Sequence, residues 1–71
     1  MKIYETKEWK GLGKSYYWNE YHLDGNVVTK YKCSRIRSFD GKESDWYYNK
    51  DEVESWDTDD PSMPDWLKKY I

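Results

Sequence analysis

VVTKYKCSRIRSF, Val27 to Phe39, is the stretch whose reading decides the fold. It is rich in β-branched and aromatic residues and contains neither Gly nor Pro, the composition of a strand flanked by others. Asp24-Gly25-Asn26 precedes it and Asp40-Gly41 follows it, and these residues favour turns. We read it as the central strand of an antiparallel meander, with the segments on either side folding back onto it.

The segment before it, Ser15 to Leu23 (SYYWNEYHL), is the next clear strand. A loop of Asp24 to Asn26 sets Leu23 opposite Val27, Tyr21 opposite Thr29, Asn19 opposite Tyr31 and Tyr17 opposite Cys33. The other face then pairs His22 with Val28, Glu20 with Lys30 and Trp18 with Lys32, giving an opposite-charge pair and a cation–π pair. Beyond Cys33 the apolar phase changes, because Ile36 lies between Arg35 and Arg37. A β-bulge near Ser34 is expected to return Ile36 to the apolar face and keep the arginines out of it.

Farther out, Lys2 to Trp9 reads as a short, charged edge strand and Gly11-Leu12-Gly13 as a loop. Ser44 to Asn49 reads as a strand after the central one. Asp51 to Asp60 holds six acids in ten residues and fits either a helical turn or an extended segment. In SMPDWLKKYI, Met63, Trp66, Leu67 and Tyr70 form one helical stripe. Ser62 with Asp65 is expected to cap that helix. The expected fold class is α+β: a three- or four-stranded antiparallel β-meander with one short C-terminal helix packed on it, in one small domain over residues 1–71.

The core must be aromatic, since the chain has five Trp, eight Tyr and one Phe but no Ala. So small a domain leaves part of such a set exposed, and exposed rings are interface material. Cys33 is the only cysteine, so no internal disulfide forms; secreted domains of this size usually rely on them. No run approaches the ~20 apolar residues of a membrane span, and Met1 to Glu5 lacks the pattern of a signal peptide. The expected location is cytoplasmic. Lys outnumbers Arg ten to two, a bias of AT-rich coding sources such as phages.

Catalytic and metal motifs do not form. Gly11-Leu12-Gly13-Lys14-Ser15 resembles the end of a phosphate loop, but Glu8 stands where the first Gly belongs and a strand follows instead of a helix. His22 and Cys33 are the sole imidazole and thiol, and the expected register sends them to opposite faces. Asp57, Asp59 and Asp60 run into Pro61 without the Gly and distal Glu of a calcium loop. The reading is non-enzymatic, with no cofactor and no metal.

Two surfaces carry the functional expectation. Residues 1–42 bear a net charge of +4 and residues 43–71 one of −6; the bland explanation is internal complementarity. The functional one is a protein-binding surface of Asp51, Glu52, Glu54, Asp57, Asp59 and Asp60, with Trp56 as a buried anchor in the partner. Such a chain fits an inhibitor or adaptor, of the kind phages and mobile elements encode, that binds an intracellular host protein. A nucleic-acid-binding protein is the candidate partner, and the chain itself would be a monomer or homodimer. The alternative is a single-stranded nucleic-acid binder using Tyr16, Trp18, Lys30, Lys32 and Arg35, where rings stack on bases and cations meet phosphates.

Overall fold

A computed structural model describes residues 1–37 and 46–71. Five antiparallel strands form one sheet: β1 (Lys2–Glu5), β2 (Trp9–Lys10), β3 (Ser15–Asp24), β4 (Val27–Arg37) and β5 (Trp46–Asp57). A short 3₁₀ helix, Asp65–Tyr70, closes the chain. The strand order is β1-β3-β4-β5, with β2 also on the outer side of β3. β4 is therefore interior, as its composition predicts. The Asp40-Gly41 turn, the end of the central strand at Ser38 and Phe39, and the start of the next at Ser44 and Asp45 lie outside the described residues.

The register of the β3–β4 hairpin differs from expectation by one residue. Asp24 pairs with Val27, Leu23 with Val28, Tyr21 with Lys30 and Trp18 with Cys33. The loop is Gly25-Asn26, not Asp24 to Asn26. Gly25 has φ +61° and Asn26 has no positive φ, the pattern of a type II′ turn, whose twist matches the flanking strands. Asp24 is thus the last strand residue rather than part of the turn.

The bulge is also elsewhere. β3 and β4 pair without a break from Ser15–Ile36 to Asp24–Val27. Irregularity falls between β4 and β5, where Lys30 pairs with Glu54 and Tyr31 with Glu52, leaving Val53 of β5 as the extra residue. Arg35 and Ile36 keep their alternate phases. The arginines cost little because their face is not an apolar core: Arg35 meets the Glu8 carboxylate instead.

The predicted edge strand Lys2–Trp9 is two short pieces. Between them Thr6 donates its N–H to the Asn19 carbonyl and accepts the Asn19 N–H on its hydroxyl, both at 2.9 Å. The side chain thereby replaces part of the ladder. Gly11 follows because a Cβ there would fall on the Tyr17 ring.

The core occupies one face at the turn end of the hairpin. Tyr21, Val28, Trp56, Met63 and Leu67 are buried together, with Ile3, Tyr4 and Leu23 partly buried against them. Met63 and Leu67 come from the C-terminal segment and seal this end. The segment was expected to be an α-helix capped by Ser62. Instead Asp60 takes that serine: its carboxylate accepts from the Ser62 N–H at 2.8 Å and hydroxyl at 2.7 Å. Pro64 has ψ 134° and no side chain caps the helix. Leu67 N–H then reaches the Pro64 carbonyl, three residues back, giving 3₁₀ geometry, which suits short runs. Trp66 packs edge-on to Tyr21 and Tyr4 at centroid distances of 5.2 and 5.1 Å, yet stays 43 % exposed.

Candidate interaction surfaces

Side chains of paired residues point to the same side of a sheet, so the register sorts every candidate. Tyr21, Lys30 and Glu54 share the core face, as do Asn19, Lys32 and Asp51. Tyr16, Arg35 and Tyr48 share the outer face, as do Trp18, Cys33 and Lys50, and Glu20, Tyr31 and Glu52. The proposed nucleic-acid set therefore divides. Tyr16, Trp18 and Arg35 are together, but Lys30 and Lys32 lie on the opposite face. There Lys30 sits over the Tyr21 ring at 5.9 Å and Lys32 over Tyr17 at 5.5 Å.

At the centre of the outer face Glu20 is buried and keeps its charge. Its carboxylate accepts from Trp18 Nε1 at 2.7 Å, meets His22 Nε2 at 2.8 Å and pairs with Lys50 Nζ at 3.2 Å. Burial alone would raise its pKa. The bonds from Trp18, His22 and Lys50, with the Lys50 charge, overcome this and lower it to about 2. Cys33 shares this face with His22, contrary to the expected register. Burial, with the Glu20 charge beside it, pushes the Cys33 thiol up to about 11. Cys33 is a buried thiol of the outer face, and His22 is one of the groups that hold the Glu20 carboxylate.

Toward the far end, Arg35 packs against two mutually contacting rings, 4.7 Å from the Tyr16 centroid and 4.5 Å from that of Trp46, which lie 6.0 Å from each other. Glu8 binds the same guanidinium through both oxygens, at 2.9 and 2.8 Å. Arg37 also faces Trp46, at 5.9 Å. Beside this cluster is an open cleft of about 410 Å³ lined by Glu5, Thr6, Glu8, Trp18, Arg35 and Tyr48. Trp46, Tyr48 and Lys50 were not among the predicted site residues. Their signal was the alternation Trp46-x-Tyr48-x-Lys50, which answers Arg37, Arg35 and Cys33 across the ladder.

The acidic tract is extended as far as Asp57. Asp51, Glu52, Glu54, Asp57 and Asp59 are exposed, while Asp60 is half-buried and bound to Ser62. Trp56 is 6 % exposed and belongs to the core, so, contrary to expectation, its ring packs inside this chain rather than standing out as an anchor for a partner. Exposed rings do flank the tract: Tyr47 and Tyr48 are 59 % and 66 % exposed. Internal complementarity is partial. Lys30 and Lys32 stand opposite Glu54 and Asp51, but their ammonium groups lie over tyrosine rings. Among the described residues Asp51, Glu52 and Glu54 enter no ion pair.

The described residues contain no group of three or more His, Cys, Asp and Glu placed to hold a metal ion. They include no helix long and apolar enough to cross a membrane. No family model, curated protein or solved structure matches the chain.

Proposed function

We propose that the chain is a non-enzymatic protein-binding module acting through the acidic, aromatic surface of β5. The observation that carries the reading is the continuous exposure of β5 from Tyr47 to Ser55, with Asp51, Glu52 and Glu54 along it in no ion pair among the described residues. Exposed carboxylates speed encounter with a basic partner, and neighbouring rings supply area that loses water on contact. The partner is then a protein with a basic surface, a nucleic-acid-binding protein among the candidates, and the module's action on it is blocking or adapting.

The test is affinity capture from bacterial lysate with the chain and with its Asp51→Asn, Glu52→Gln, Glu54→Gln variant. Trp56 and Asp60 are left intact because each holds the fold. A protein retained by the chain, released by salt and lost from the variant supports the reading. Identical retention by both removes the carboxylates from the interface.

One observation favours a second reading, single-stranded nucleic-acid binding: Tyr16, Trp18, Arg35, Arg37, Trp46 and Tyr48 share the outer face. Bases stack on such rings. Glu8 already occupies the Arg35 guanidinium, which ranks this reading second. Titration with single-stranded DNA and RNA, followed by tryptophan fluorescence at low and high salt, tests it. A salt-sensitive response abolished by Arg35→Glu and Arg37→Glu would promote it; no response at low salt would end it.

A further inference from the structure

The two edges of the sheet are built differently. On one side β1 and β2 are four and two residues long, and short pieces of this kind give a foreign strand little to pair with. On the other side β5 is twelve residues long, and no strand among the described residues pairs with its outer edge. Half of its backbone donors and acceptors therefore point away from the sheet. The bulge at Val53 interrupts this edge, leaving Trp46 to Glu52 as its longest regular run. Within that run Tyr47 and Tyr48 are exposed, and Asp51 and Glu52 follow with one carboxylate on each face of the sheet.

We propose that this run takes an extended, basic segment of a partner protein as a sixth strand. The inference rests on the protein-binding reading above and specifies its mode. Backbone pairing supplies affinity, and side chains supply selection. Asp51 and Glu52 favour Lys or Arg opposite them. Tyr47 and Tyr48 favour the apolar or cationic residues that cover a ring. A second copy of β5 is a poorer occupant, because antiparallel pairing of this run about Asn49 sets Asp51 opposite Tyr47 and Glu52 opposite Trp46, with no cation facing either carboxylate.

The experiment uses the whole chain and a short synthetic peptide in which Lys and Arg alternate with Val and Thr. Controls are the same peptide N-methylated at every other residue, in both phases. N-methylation keeps charge and side chains but removes the donors that a strand needs. Calorimetry is expected to show binding that weakens with salt, and at least one methylated peptide is expected to bind about tenfold more weakly, the loss of one or two net hydrogen bonds. Backbone amide shifts are expected to concentrate in Trp46–Glu52, and Asp51→Lys with Glu52→Lys is expected to abolish the interaction. Equal affinity for all peptides overturns strand addition and leaves the acidic-surface reading standing. No binding of any peptide, at low salt, overturns both. A concentration-dependent dimer in sedimentation, lost in Tyr48→Pro, would overturn the basic occupant in favour of a second copy.

Discussion

Glu20 holds a charge inside the sheet because Trp18, His22 and Lys50 all reach it. Its pKa falls from 4.5 to about 2, so the folded state binds the proton less readily than the unfolded one. The stabilisation is full above pH 4.5 and is lost as pH falls through about 2; it is worth on the order of 3 kcal/mol. Glu20→Gln is expected to destabilise the chain by roughly 1–3 kcal/mol at neutral pH and to flatten the acid limb in urea titrations run across that range. An unchanged acid limb would assign the pH dependence to other carboxylates. Cys33, 2 % exposed with its thiol near 11, is expected to resist alkylation at pH 8 until denaturant is added. The thiolate is the reactive form, and here both access and ionisation oppose it. Rapid labelling of the folded chain would contradict the packing around it.

At the scale of elements, the β3–β4 hairpin shows what was legible. The strands themselves were read from VVTKYKCSRIRSF and SYYWNEYHL, because β-branched and aromatic runs between turn formers have few other uses. The register was not, since Asp24-Gly25-Asn26 permits two loops and the faces are nearly balanced in polarity. That single step moved Lys30 and Lys32 away from Trp18 and onto the core face, and so split the predicted nucleic-acid site. Gly25→Ala is expected to cost about 1–2 kcal/mol, because φ +61° is left-handed; thermal unfolding measures it. The acidic tract hid a strand for another reason. Asp and Glu are poor strand formers, and pairing with β4 overrides their preference. Its bulge was equally hidden, since nothing in the phase of Val53 and Trp56 separates a bulge from a helical turn. Deleting Val53 would keep both halves of β5 in register but make one long regular edge. The deletion variant is expected to remain folded and to aggregate faster than the parent, as light scattering would record. At the C-terminus the stripe of Met63, Trp66, Leu67 and Tyr70 held for half its members: Met63 and Leu67 are buried, whereas Trp66 and Tyr70 stay exposed. The α-helix did not form, because Pro64 and the Asp60–Ser62 turn leave too few residues for it.

As a whole molecule the described residues extend 48 × 19 × 16 Å, a long sheet with its core at one end. Trp56 sits in that core, while Trp9, Tyr47, Tyr48 and Trp66 are exposed; the aromatic composition told of an aromatic core and an aromatic surface but not which ring went where. Leu67 is fully buried. Leu67→Ala is expected to cost about 2–5 kcal/mol, a large share of what so small a domain holds. Circular dichroism should show a much lower melting temperature, and a change within error would mean the 3₁₀ helix is not part of the cooperative core.

The one-ended core also implies that opening is graded along the strands. Near Leu23 and Val28 the ladder is clamped by a second layer. Near Ser15 and Ile36 it is steadied by the Tyr16–Arg35–Trp46 cluster and a half-exposed ion pair. Local opening there exposes little apolar surface and so needs less free energy than global unfolding. Native-state hydrogen exchange is expected to slow progressively along β3, from Ser15 toward Tyr21. A uniform profile would mean that the sheet, despite its uneven covering, opens only as one unit.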